Sequence, residues 1–113
     1  MNEFVQAAKD GQVTERGFIE QSYGVSKVGV SLMTIIQQKM FNKGEKNIVV
    51  NSCCPGNVET DMTGGKYPKA LTPDEGADTP TYLALLPNDV KEPRGNFCKL
   101  RTVHSYPPIK RHT

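Results

Sequence analysis

Residues 22–62 read SYGVSKVGVSLMTIIQQKMFNKGEKNIVVNSCCPGNVETDM, and this stretch decides the fold. Its first half has apolar residues at helical spacing, which predicts an amphipathic helix over about 22–42. The apolar stripe consists of Val25, Val28, Leu32, Ile35, Ile36 and Met40, with Gln37, Gln38 and Lys39 opposite or flanking it. Residues 47–54 are rich in β-branched residues and apolar on both faces, which is typical of a buried parallel strand. Pro55-Gly56 ends that strand, so the stretch predicts an α/β protein.

The flanking segments extend this order. Residues 1–9 suit a short helix, and the polar, Gly-containing residues 11–17 suit a loop. Gly44 is a plausible stop signal for the long helix. Residues 56–71 contain Gly64, Gly65 and Pro68 and predict a further loop.

The last part of the chain predicts a second helix and strand. Thr72-Pro-Asp-Glu75 resembles a capping box with Pro at the first helical position, so we expect a helix from there to about Leu86. Pro80 is tolerable only if it lies within the first two turns. Residues 95–100 suit a short strand, and the order becomes helix, strand, helix, strand. Two strands joined by a crossover helix form a parallel βαβ unit.

Composition sets bounds on the protein class. A chain of 113 residues with net charge +2 fits one small domain and lacks the basic surface of a nucleic-acid-binding protein. No window approaches the roughly 20 apolar residues of a membrane span, and no secretory signal is recognisable. Three Cys do not form a disulfide framework, so a reducing, cytoplasmic location is expected. The spacing of His104 and His112 suggests no metal site.

Tyr23 and Lys27 are the candidate catalytic residues. Four positions apart on a helix, they share one face, and a nearby ammonium favours a phenolate. Such a Tyr exchanges a proton with a carbonyl oxygen as a general acid/base. An ordinary amphipathic helix with a Tyr near its start remains the alternative. Tyr106 and Lys110 repeat the spacing, but Pro107 and Pro108 lie between them and prevent a helix.

Tyr23-Gly-Val-Ser-Lys27, the helix that follows it and VVNSCCPGNVETDM together resemble the catalytic helix, strand and cofactor-contacting loop of short-chain dehydrogenases/reductases. TPDEGADTPTYLALLP and GNFCK are similar to the next helix and last strand of the NADPH-dependent carbonyl reductase branch. The resemblance implies a Rossmann-like doubly wound parallel sheet. It also implies catalysis by Tyr23 and Lys27 and NADPH contacts from Tyr23, Lys27, Pro55, Gly56, Val58 and Thr60.

The chain also departs from the family pattern. The family's catalytic Ser and the glycine-rich dinucleotide turn are expected before Met1; Ser22 and Ser26 are better explained as hydroxyls at a helix start and facing solvent. We therefore expect the C-terminal half of a reductase domain at 1–100, incomplete without an N-terminal half, and an irregular basic tail at 101–113. Such a chain is expected either to have low stability as an isolated monomer or to associate through its exposed apolar surface.

Three functional hypotheses follow. The first is an NADPH-dependent reductase of aldehydes, ketones or quinones that is truncated and inactive alone. Its small carbonyl substrate would bind only once the missing half is supplied. No nucleic acid or membrane partner is expected. The second is a non-catalytic fragment that binds a partner through its exposed amphipathic helix. The third is a standalone βαβ-like domain. Cys53-Cys54 suggests either a reactive thiol near the cofactor or buried structural Cys, and the latter is favoured.

Overall fold

A computed structural model describes residues 1–18 and 21–105. It contains four helices and three strands in the described ranges: α1 (Asn2–Lys9), α2 (Ser22–Asn42), β1 (Ser52–Cys54), α3 (Pro73–Gly76), α4 (Asp78–Ala84), β2 (Phe97–Lys99) and β3 (Thr102–His104). The chain divides into two compact units, Met1–Met33 and Thr34–Thr113. The unit boundary falls within α2.

The first unit contains α1 and the beginning of α2. In α1, Ala7 is fully buried, and the Phe4 ring lies edge-on to Phe18 with the centroids 5.4 Å apart. Aromatic pairs favour this arrangement. The turn after α1 is supported by an exposed ion pair between Arg16 and Asp10, at 2.7 Å. The predicted short helix is confirmed, and so is the non-helical segment after it.

The second unit holds a three-stranded mixed sheet in the order β1-β2-β3. β1 pairs with β2 in parallel, with Cys53 opposite Cys98, and α3 and α4 lie between these strands in the chain. The predicted parallel pairing across a helical connection is therefore confirmed. Cys98 is completely buried at the centre of this sheet.

β1 is shorter and more exposed than the sequence predicts. Residues 47–54 were expected to form a buried strand, but only Ser52–Cys54 joins the ladder and all three residues are half-buried. Side chains hold the preceding segment instead. Asn51 donates to the Pro93 carbonyl at 3.0 Å and accepts from the Asn96 amide at 3.0 Å.

The helix predicted from Pro73 to about Leu86 is interrupted. The capping box is confirmed, since the Thr72 hydroxyl accepts from the Glu75 amide while the Glu75 carboxylate accepts from the Thr72 amide. The chain then divides into α3 and α4 around Ala77, and α4 ends at Ala84. Pro80 explains the break, because it has no amide hydrogen to donate to the preceding turn.

β3 lies inside the stretch that the sequence analysis describes as irregular from residue 101. It pairs antiparallel with β2 through a two-residue turn, Leu100-Arg101, in which both residues have positive φ (51° and 58°). Such turns normally carry Asn or Gly, so the sequence holds no hairpin signal at this point. Tyr106 and Lys110 lie outside the described residues. No helix of the described chain is long and apolar enough to cross a membrane.

Candidate functional site

Tyr23 and Lys27 lie on one face of α2, one turn apart. The Lys27 ammonium nitrogen is 5.5 Å from the centroid of the Tyr23 ring, and Tyr23 is 67% exposed. The predicted shared face is therefore confirmed, while the catalytic roles stay predictions. Lys27 belongs to neither of the two ion pairs found in the described parts of the chain, Arg16–Asp10 and Arg101–Asp78. An ammonium without a carboxylate partner keeps its donors for another acceptor.

The chain leaves β1 through Pro55 and turns sharply at Gly56, whose φ is +87°. This backbone conformation favours Gly. A side chain at Gly56 would also approach the Leu71 methyl group at 3.0 Å. Gly is therefore required at this turn both by the positive φ and by the nearby Leu71 side chain.

The loop from Pro55 to Thr60 pairs with Leu71; it is called the cofactor loop after its predicted role, which stays a prediction. The Leu71 amide donates to the Asn57 carbonyl at 2.8 Å, and the Glu59 amide donates to the Leu71 carbonyl at 2.9 Å. These bonds place Val58 and Leu71 in a short parallel bridge. A loop held by two backbone hydrogen bonds has a defined shape, as a binding segment requires.

Val58 packs directly against Gly76 at the end of α3. A Cβ at Gly76 would lie 2.9 Å from one Val58 methyl carbon and overlap the other. Gly76 is buried, so the absence of a side chain lets the two segments touch. This contact connects the cofactor loop to α3 within the second unit.

The predicted site residues fall into two groups. Tyr23 and Lys27 belong to the unit Met1–Met33 and come together there. The cofactor-loop residues belong to the unit Thr34–Thr113; they are Pro55, Gly56, Val58 and Thr60. Ser22 and Ser26 are both exposed.

Cys98 is buried, whereas Cys53 and Cys54 are half-buried. Burial in the fold, with a smaller contribution from Cys54, raises the pKa of the Cys53 thiol. Burial likewise raises the pKa of Cys98, followed by the influence of Cys53 and Glu92. A raised pKa lowers the fraction of nucleophilic thiolate at neutral pH. The raised pKa of Cys53 favours the structural role over a reactive thiol.

Two open depressions are present on the second unit. One has a volume of about 410 Å³ and the other about 470 Å³. The first is lined by Asn47, Asn88, Asp89, Val90, Lys91 and Arg94, and the second by Leu71, Asp74, Glu75, Asp78 and Leu100. The lining includes none of the predicted site residues. Within residues 1–18 and 21–105, no cluster of His, Cys, Asp and Glu is arranged to hold a metal.

Gln38 is a residue whose role the sequence analysis missed. The helical pattern placed it opposite or beside the apolar stripe, but it is only 3% exposed. Its amide nitrogen donates to the Ile48 carbonyl at 2.9 Å and its amide oxygen accepts from the Val50 amide at 2.7 Å. Gln38 therefore fixes the segment that leads into β1. Its type alone carries no signal of this, because Gln is usually exposed.

Comparison with known proteins identifies relatives over most of the chain. Carbonyl reductase (NADPH) 1 of Mus musculus is 44% identical over 109 residues, which cover 94% of this chain and 38% of the relative. The Homo sapiens protein of the same name is 43% identical with the same coverage. The Sus scrofa protein is 46% identical over 100 residues, or 86% of this chain and 34% of the relative. No family model matches the chain.

Over 94% of its length the chain matches the carbonyl reductase branch of the short-chain dehydrogenase/reductase family. The predicted family is thus confirmed. The chain spans little more than a third of the length of these relatives. Its mixed three-stranded sheet and helices are compatible with part of a Rossmann-like fold. None of the relatives supports the alternative of a non-catalytic partner-binding fragment.

Proposed function

We propose that this chain supplies the Tyr–Lys pair and the nicotinamide-side loop of an NADPH-dependent carbonyl reductase that acts on aldehydes, ketones or quinones. The observation that carries the proposal is the position of Lys27 beside the exposed Tyr23 ring on α2. Relatives named as NADPH carbonyl reductases support the choice of reaction. The proposed activity belongs to a longer polypeptide that contains these residues.

The donors on this chain suit a nicotinamide nucleotide. The Lys27 ammonium suits ribose hydroxyl groups, which accept hydrogen bonds. The amide and carbonyl of Thr60 bond to Thr63 and Gly64, and the hydroxyl of this exposed residue lies 3.5 Å from the Thr63 hydroxyl. A hydroxyl both donates and accepts, as a carboxamide partner must. When bound, NADPH supplies the hydride for the substrate's carbonyl carbon.

Tyr23 donates its phenolic proton to the substrate's carbonyl oxygen and becomes a phenolate, and the product is an alcohol. Lys27 stabilises the phenolate through its positive charge. A proton from solvent then restores the phenol. General acid catalysis of this kind contributes about 10²–10⁴-fold to the rate.

A hybrid protein tests the proposal. In it, this chain replaces the matched 109 residues of the Mus musculus relative. We expect the hybrid to oxidise NADPH in the presence of a quinone, measured by absorbance. Tyr23→Phe should lower kcat by about 10²-fold or more. Tyr82→Phe is the matched control, because Tyr82 lies in α4 under Arg101. Equal activity of the Tyr23→Phe and unmodified hybrids would disprove the role of Tyr23.

A further inference from the structure

The hydroxyl group of Thr63 lies between two residues of the cofactor loop. Thr63 Oγ1 accepts a hydrogen bond from the Thr60 amide at 2.9 Å. It lies 2.8 Å from the Val58 carbonyl and 3.0 Å from the Thr60 carbonyl, either of which can accept its proton. One side chain outside the loop thus binds the backbone of both Val58 and Thr60.

These contacts close a compact turn. The Thr63 and Gly64 amides both donate to the Thr60 carbonyl at 3.0 Å. Thr60 therefore has its amide and its carbonyl engaged by residues that follow it. The Thr60 hydroxyl is the polar group of Thr60 that remains for a ligand; it lies 3.5 Å from the Thr63 hydroxyl, so its position depends on Thr63.

We infer that Thr63 is a positioning residue that sets the conformation of Val58 and Thr60 for nicotinamide binding. The effect of Thr63 on nicotinamide binding rests on the proposed function, whereas its hydrogen bonds are properties of the fold. Leu71 and Gly76 also contact this loop. Leu71 does so through backbone hydrogen bonds and Gly76 through close packing against Val58. Thr63 differs because a single hydroxyl carries the interaction and a single substitution removes it.

Two variants separate the hydroxyl from the shape of the side chain. Thr63→Val keeps the branched shape and removes both hydrogen bonds. Thr63→Ser keeps the hydroxyl and should restore them. Thr102→Val is the matched control, because the Thr102 hydroxyl also bonds to a turn carbonyl, that of Leu100 at 3.2 Å. Thr102 lies in β3, outside the cofactor loop.

Water-exchange NMR on the full 113-residue chain tests the loop directly. We expect the Thr60 amide proton to exchange roughly threefold to tenfold faster in Thr63→Val than in the unmodified chain, since one hydrogen bond is lost. Thr63→Ser and Thr102→Val should leave the exchange unchanged. An unchanged Thr60 exchange rate in Thr63→Val would overturn the inference.

Titration with millimolar NADPH, followed on the Thr60 amide signal, tests the functional consequence. We expect Thr63→Val to weaken binding about threefold to tenfold and Thr63→Ser to restore it. Faster exchange with unchanged affinity would overturn the positioning role. If the unmodified chain binds no NADPH, cofactor binding by this chain alone is disproved, while the activity proposed for the longer polypeptide is tested by the hybrid protein. The exchange rate of Thr60 then decides separately whether Thr63 holds the loop.

Discussion

Arg101 forms a two-pronged ion pair with Asp78. Its Nε donates to Oδ2 at 2.8 Å and its Nη2 donates to Oδ1 at 2.5 Å. The same guanidinium lies 5.2 Å from the centre of the Tyr82 ring, and the Arg101 amide donates to the Thr79 hydroxyl at 3.2 Å. The β2–β3 turn is therefore attached to α4 by three separate contacts of one residue. This explains how a turn without Asn or Gly is maintained.

The first prediction concerns the pH dependence of this pair. The hydrogen bond from Arg101 lowers the pKa of Asp78, so its ionised form is favoured in the folded chain. The resulting stabilisation is present above the unfolded Asp pKa of about 3.9 and is lost as pH falls through the lower folded pKa. Unfolding midpoints measured from neutral to acid pH should therefore fall more steeply in the unmodified chain than in Asp78→Asn. Parallel pH profiles would show that the pair contributes nothing.

The second prediction concerns Leu100, the other residue of that turn. Its φ of 51° is in the left-handed region, which costs a branched residue about 1 kcal/mol or more. Asn tolerates this conformation, and the Leu100 side chain is 70% exposed, so little packing is lost. Leu100→Asn should raise the free energy of unfolding by about 1 kcal/mol, measured by denaturant titration. A lower stability would mean that the Leu100 side chain packs more than its exposure indicates.

Local patterns predicted the elements whose cause lies within a few residues. Helical periodicity predicted Ser22–Asn42, and the spacing from Thr72 to Glu75 predicted the capping box. The shared face of Tyr23 and Lys27 follows from helix geometry alone and was predicted on that ground. These features depend on backbone geometry and on neighbours in sequence, which a sequence shows directly.

Features that depend on distant partners were not predicted. β3 exists because the Leu100-Arg101 turn is attached to α4, some twenty residues earlier in the chain. Gln38 is buried because Ile48 and Val50 present backbone groups to it. The Thr63 hydroxyl contacts a nearer partner, the Val58 carbonyl five residues earlier, but that contact depends on a turn that the residue types do not specify. Nothing in the residue types of such pairs shows the contact before the chain folds.

The third prediction tests Gln38. Gln38→Ala leaves the Val50 amide and the Ile48 carbonyl without their partner in a part-buried site. We expect a loss of about 2–4 kcal/mol in the free energy of unfolding, measured by denaturant titration. Gln37→Ala is the control, since Gln37 is the adjacent residue of α2 and only half-buried. If both variants lose the same free energy of unfolding, the loss comes from a change in the helix and not from the Gln38 hydrogen bonds.

The fourth prediction tests the contact between α3 and the cofactor loop. Gly76→Ala forces the Val58 side chain to move, and overpacking of this kind costs about 1–3 kcal/mol. Thermal unfolding should show a lower midpoint. The control is Gly24→Ala, because the nearest neighbour of a Cβ there is an ordinary 3.9 Å away. That change removes a helical Gly and should stabilise α2 by up to about 1 kcal/mol. A higher unfolding midpoint for Gly76→Ala would show that the Val58 side chain moves aside without destabilising the fold.

The fifth prediction concerns NADPH binding by the chain itself. In the proposed function, Lys27 and the cofactor loop each contact only the nicotinamide end of NADPH, so we expect a dissociation constant in the millimolar range, about −4 kcal/mol. Circular dichroism first establishes that the chain is folded, and calorimetric titration then measures the affinity. Lys27→Ala should weaken binding, whereas Lys39→Ala, a change near the other end of α2, should not. Micromolar binding would mean that the chain alone binds NADPH more tightly than nicotinamide-end contacts explain. Equal affinities of the two variants would exclude Lys27 from cofactor binding.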